Sequence, residues 1–181
     1  RKADLDLVMN AIPLNKIDDF HKSPLKKKYN VIEAPGLSYN YISFNMKAPH
    51  LQDVRIRKAI AYGIDVKQII KYRLEGHAVP SYSLLSPVNW FSEKSVTKYN
   101  YQPEKAKQLL KEAGLPAGDK RNPCLSLELK TSNNGEVVGI ARILQAQLAQ
   151  IGIRLNIKSY EWGTFYGDIK SGNYQLTTMR W

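Results

Sequence analysis

The side chains suited to bond making are few and far apart in this chain. Histidines stand at 21, 50 and 77, and the one cysteine is Cys124. No two histidines have the i, i+4 spacing with which a helix holds zinc. A single thiol builds neither a thiolate cluster nor an internal disulfide. Asn122-Pro123 precedes Cys124 and no histidine neighbours it in sequence, a setting for a buried, inert thiol. The carboxylate pair Asp18-Asp19 sits among polar residues, where nothing raises a pKa for acid catalysis. Neither a Walker-type glycine loop nor a Gly-x-Ser-x-Gly elbow occurs. Asn133-Asn134-Gly135, ahead of a helical pattern, has two uses: exposed amides that take an anion, or a simple N-cap turn. Catalytic groups converge in space, so spacing does not exclude an enzyme. It gives no positive case for one either.

The elements that must position these residues are those of an ordinary globular chain. It has 181 residues, 43% hydrophobic and 24% charged. No run approaches the roughly 18 apolar residues of a membrane span. Arg1-Lys2-Ala3-Asp4 leads straight into an alternating segment, with no signal-peptide pattern. Both ends read as cut, since no initiator methionine is present and Leu176–Trp181 stops inside an apparent strand. A piece of a longer polypeptide is expected. The net charge of +11 invites a nucleic-acid reading. The excess is spread as +2, +4, +3 and +2 over residues 1–35, 36–80, 81–122 and 123–181. Lys26-Lys27-Lys28 is the one basic triplet and reads as a solvated loop. A basic module for nucleic acid or anionic polymer is thereby disfavoured, and no nucleic-acid partner is expected.

Alternation predicts short strands over Leu5–Met9 and Tyr29–Glu33, with a brief helix from Asn15 to Lys22 between them. The run Tyr39–Asn45 is a further strand, with Tyr39, Tyr41 and Ser43 on one face and Asn40, Ile42 and Phe44 on the other. Asp53 is placed to cap a helix whose buried stripe is Ile56, Ala59, Ile60 and Ile64, and Asp65 to cap the next. Residues 77–101 have no clear period, and loops of that length are functional or packed by their own side chains. Pro103 opens a helix that Gly114 closes. Leu125–Leu129, Val137–Ile151, Ile153–Ile157, Glu161–Lys170 and Tyr174–Trp181 then read strand, helix, strand, helix, strand. That order indicates an α/β layer with some parallel pairing.

Two of these stretches carry a family resemblance. Tyr39–Asn45, closed by Ala48-Pro49 and followed by Asp53-Val54-Arg55-Ile56-Arg57-Lys58-Ala59 through Ile64-Asp65, resembles the extracytoplasmic solute-binding proteins of peptide and nickel ABC importers. Pro103-Glu104-Lys105-Ala106 through Leu109-Leu110-Lys111-Glu112-Ala113-Gly114 is similar to the same family. The likeness runs from Ala3 to Trp181, and the order and spacing of the motifs carry it. It implies an α/β fold, a mixed sheet flanked by helices, forming one lobe of a periplasmic-binding-protein-like (type II, class C) architecture. Residues 1–181 would be the second lobe, with 1–12 and 174–181 near the inter-lobe crossovers. It also implies a peptide or other small solute (nickel among them) as ligand, an ABC permease and the first lobe as partners, an extracytoplasmic location, no cofactor, no metal and no catalysis.

The resemblance further implies ligand contacts at Lys130, Thr131, Ser132 and Asn133, where a strand ends and a helix begins. Thr178, Arg180 and Trp181, on the final strand, are implied in the same way. Tyr39 and Tyr41 have two readings, ligand contact or sheet-packing aromatics. Trp90 either meets ligand or pins its loop to the core, and Asn89 either joins it or turns the chain. Trp181, a large aromatic near a crossover, is well placed to stack on ligand. Arg57 and Asp65 are expected to orient the helix pair.

Overall fold

The computed structural model describes residues 7–9, 12–22 and 24–181. Helix α1 (Leu14–Phe20) and a 3-10 turn (Leu25–Lys27) precede strand β1 (Asn40–Phe44). Helices α2 (Pro49–Gln52), α3 (Val54–Tyr62), α4 (Val66–Arg73) and α5 (Pro103–Glu112) follow. The chain then alternates through β2 (Leu125–Ser132), α6 (Gly135–Ala149), β3 (Ile153–Tyr160), α7 (Trp162–Ser171) and β4 (Leu176–Arg180).

The four strands form one mixed sheet in the order β1-β4-β2-β3. β2 runs parallel to both β3 and β4, and β1 is antiparallel to β4. Parallel neighbours need long crossovers, which α6 and α7 supply. Leu125, Leu127 and Leu129 project from one face of β2 beside Ile153, Leu155 and Leu176. They pack with Ala141, Leu144 and Leu148 of α6, Ile56, Ala59 and Ile60 of α3, and Ala106 and Leu110 of α5. Each fully buried leucine or isoleucine contributes about 1.5–3 kcal/mol. Lys130 follows Leu129 and so points to the opposite face, where it meets Asp168 of α7. Helices therefore cover both faces, as the strand–helix alternation predicts.

The predicted caps are in place. Asp53 accepts from Arg55 N at 2.8 Å, and Asp65 accepts from Gln68 N at 2.9 Å. Pro103 starts α5, and Gly114 follows its end at φ +84°. Two predicted strands fare differently. Leu5 and Asp6 lie outside the described residues, and Leu7–Met9 are exposed without regular structure. Tyr29–Glu33 is not a strand. Its backbone pairs with no sheet neighbour among the described residues, and side chains hold it instead, Glu33 through His21 and His77. Local alternation cannot supply the partner that a strand requires.

One glycine is fixed by contact as well as by dihedral. Gly152, between α6 and β3, has φ +82°, and a Cβ there would meet the backbone carbonyl carbon of Gly118 at 2.7 Å. Gly152→Ala therefore combines a left-handed non-glycine residue with a collision against backbone. Urea denaturation of this variant is expected to show a loss of about 2 kcal/mol or more.

Candidate functional site

β2, β3 and β4 all finish at one end of the sheet. Ser132 is in register with Tyr160, and Asn133 N donates to Tyr160 O at 2.8 Å. Both crossover helices begin at this end. Asn134 caps α6, its carboxamide oxygen accepting from Glu136 N (2.9 Å) and Val137 N (3.3 Å). Asn133-Asn134-Gly135 is thus an N-cap turn. Glu161 caps α7, accepting from Gly163 N at 2.7 Å. Because β1 is antiparallel to β4, its start meets the end of β4. Asn40 faces Arg180, and Tyr39 and Trp181 exchange two backbone hydrogen bonds of 3.0 Å each.

This geometry gathers Tyr39, Tyr41, Ser132, Asn133, Thr178, Arg180 and Trp181 at one edge and sorts them onto two faces. Phe44, Leu176 and Leu129 are aligned across β1, β4 and β2 on the core face, so Thr178 and Thr131 lie on that side. Tyr39, Tyr41, Met179 and Trp181 lie on the other side, the one to which α7 packs over β2 and β3. The Tyr39 and Tyr41 rings are half-buried with centroids 5.8 Å apart, and Trp181 is 76% exposed. The β1–β4 half of this face is therefore an open aromatic surface.

Two candidates turn inward. Lys130 is 6% exposed, and its ammonium donates to Asp168 Oδ2 at 2.8 Å, with Glu128 Oε1 at 4.0 Å and the Tyr160 ring centroid at 5.7 Å. The Lys130 hydrogen bond, followed by one from Asn173 Nδ2 at 3.0 Å, holds the Asp168 carboxyl below its usual range against an opposing desolvation. Thr131 is fully buried, its hydroxyl 2.9 Å from that of Thr178. Both side chains serve the sheet and neither is offered at the surface. At Lys130 and Thr131 it is the strand-end backbone, and not the side chains, that faces the edge as a candidate contact.

Asn89 and Trp90 lie on the loop between α4 and α5. Asn89 turns the chain: its Oδ1 accepts from Phe91 N at 2.9 Å and its backbone N donates to Ser86 O. Trp90 is 84% exposed and lies against Phe91 with ring centroids 3.6 Å apart and planes tilted by 35°, so it does not pin the loop to the core. Ser86 Oγ ties this loop to the lead-in of β1 by donating to Gly36 O at 2.8 Å. One pair escaped the sequence reading. Trp162 opens α7 just beyond the end of β3 and stacks on Tyr166 (5.6 Å, 11°), both rings about half exposed. A tryptophan two residues past a strand end, with tyrosine at i+4, was the available signal.

Two cavities lie beside α4, about 300 Å³ lined by Lys67, Ile70, Lys71, Glu75, Gly76 and Pro80, and about 220 Å³ reaching Tyr82 and Tyr99. Neither is lined by a candidate residue. Among the described residues no group of three or more His, Cys, Asp or Glu could hold a metal ion.

Residues 1–181 match the family described as bacterial extracellular solute-binding proteins, family 5, in its middle region. The chain belongs to that family. It is 34% identical over 171 residues to the dipeptide-binding protein of Escherichia coli (strain K12), covering 94% of this chain and 32% of the relative. It is 31% identical over 165 residues to heme-binding protein A of Haemophilus influenzae, covering 91% and 30%. The family-5 chain also superposes on the Helicobacter pylori periplasmic binding protein DppA in complex with peptide STSA. That match has TM-score 0.80, 30% identity, and 93% and 31% of the two chains covered. On Bacillus subtilis AppA with a nonapeptide the TM-score is 0.73 at 31% identity, covering 80% and 31%. The chain spans about a third of the length of these relatives.

The Lys130–Asp168 pair sets an acid limit for this family-5 sheet. A carboxyl held lower in the folded than in the unfolded protein stabilises above its unfolded pKa, about 3.9. That contribution is lost as pH falls through the folded value. Asp168→Asn is expected to flatten the stability–pH curve of the protein below about pH 4, read by circular dichroism through an acid titration.

Proposed function

We propose that this chain is the second lobe of a two-lobe solute-binding protein that captures peptides outside the cytoplasm and presents them to an ABC permease, with no catalytic step. One observation carries the reading. The edge where three parallel strands end is an unenclosed wall of aromatic and polar groups, and two antiparallel strands leave from it side by side at Tyr39 and Trp181. In open α/β sheets, ligands sit at the carboxyl ends of strands. An open wall needs a facing wall, and the paired exits are suited to be the crossovers that bring one.

Peptide is favoured as the solute by the dipeptide- and oligopeptide-binding names of relatives and by the peptide in the structural neighbour. Heme-binding protein A keeps a non-peptide solute as the competing cargo. Trp181, Trp162, Tyr39 and Tyr41 supply π-faces that tolerate many side chains, while strand-end backbone and Ser132, Asn133, Thr178 and Arg180 supply hydrogen bonds. Such a wall suits a ligand recognised by its main chain.

Calorimetry of the two-lobe polypeptide against short peptides, heme and nickel tests this. Peptide binding is expected, and Trp181→Ala should weaken it about tenfold or more, the scale of a central aromatic contact. The 181-residue chain alone should bind far more weakly, because half of the enclosure is missing. No response to any short peptide, or micromolar binding by the isolated chain, defeats the reading.

A further inference from the structure

Charge is spread along this chain except in two runs. No Asp, Glu, Lys or Arg occurs between His77 and Glu93, or between Glu33 and Lys47. In a protein of net charge +11 these are the two longest neutral stretches, and the fold ties them together. Ser86 Oγ, in the loop between α4 and α5, donates at 2.8 Å to Gly36 O, in the lead-in to β1.

The two runs hold large apolar groups in water. Trp90 is 84%, Leu84 80% and Phe91 67% exposed, Val88 is about half exposed, and Leu37 on the neighbouring run is 67% exposed. The loop that carries four of them is fixed by its own hydrogen bonds. Ser83 Oγ and Ser92 Oγ, 3.2 Å apart, join its two limbs. Ser83 Oγ also donates to Leu85 O at 3.1 Å, and Ser92 N donates to Asn89 O at 2.9 Å. Exposed apolar groups held together on an ordered loop mark a contact surface. Depletion of charge and enrichment in aromatic rings are the composition of an interface core.

Charge and position select what covers it. An anionic lipid surface or a nucleic acid is met by lysine and arginine, and neither run contains one. A partner that docks and leaves meets a more polar surface than a partner that stays. Gly36 stands three residues before Tyr39, so the patch adjoins the place where β1 and β4 leave the edge. Roughly two-thirds of a protein of the relatives' length lies outside residues 1–181. We propose that Leu37, Leu84, Val88, Trp90 and Phe91 form a seat on which the first lobe of the same polypeptide rests, with or without ligand. This inference rests on the two-lobe reading above. It assigns Trp90 to the contact between lobes and not to the captured solute. Contacts near a hinge shift least when lobes open, so a seat beside the paired exits stays covered in both states.

Hydroxyl-radical footprinting of the two-lobe polypeptide without ligand tests the seat, with rates corrected for intrinsic side-chain reactivity. Tyr72, 70% exposed on α4, is the internal reference. Trp90 and Phe91 are expected to be labelled about fivefold or more slowly than Tyr72, the contrast between an open side chain and one in an interface core. Added peptide should leave those rates unchanged. Leu84→Glu puts a charge into the seat and should speed labelling of Trp90 about threefold or more. Should that variant not fold, the labelling of the unsubstituted polypeptide decides alone. Three results overturn the proposal: Trp90 and Phe91 labelled as fast as Tyr72, slow labelling that appears only with peptide, or slow labelling lost on dilution as a dimer becomes monomer in sedimentation. Calorimetry with peptide keeps the two readings apart. Slow labelling in a polypeptide that binds no peptide supports the seat and removes the cargo, and peptide binding with fast labelling removes the seat alone.

Discussion

The placement of β2 between two parallel neighbours is the constraint from which the rest follows. Parallel pairing on both sides forces two helical crossovers, and these must lie where the sheet's faces need cover. The same pairing brings the ends of three strands and the starts of two helices to a single edge. That register is held from both faces at once. A slip of one residue would drive Lys130 into the leucine-lined core and expose Leu129, which is 1% accessible. The Lys130–Asp168 bond adds little net stability once desolvation is counted, but it opposes that slip, because an unpaired ammonium inside the core costs several kcal/mol. Its plain role is to make the wrong register expensive.

Much of this was legible in the chain. Period changes at Leu125–Ile157 gave the strand–helix–strand order, and Asp53, Asp65, Pro103 and Gly114 marked helix ends through local chemistry that needs no tertiary context. Tyr29–Glu33 failed because strand formation depends on a neighbour, and alternation over five residues says nothing about one. The inward turn of Lys130 was equally hidden. Its partner is 38 residues away on α7, and a lysine at a strand end reads as exposed until the helix that covers it is placed. Trp162 was missed because its exposure is set by tertiary packing. Which residue of α7 packs inward depends on the sheet beneath it: Phe165 takes the buried position and leaves Trp162 and Tyr166 stacked outside.

Under the proposed two-lobe reading the candidate edge is half a site. Its aromatic groups are open, its two inward polar residues are already satisfied, and the cavities beside α4 are lined by none of its residues. Helix N-terminal amides there are occupied by their own caps, Asn134 and Glu161, so the positive ends of α6 and α7 act as a diffuse field and not as a ready anion cradle.

On the proposed reading, selectivity and closure become one problem. Tyr39 and Trp181 are both wall and exit: their reciprocal hydrogen bonds keep the two departing strands in step, so a bend in one is a bend in the other. A ligand lying against these rings would touch the moving parts themselves. It could then shift the open–closed balance only by as much as it prefers the closed arrangement. Main-chain hydrogen bonds shared by every peptide would supply most of that preference, and side chains would adjust it.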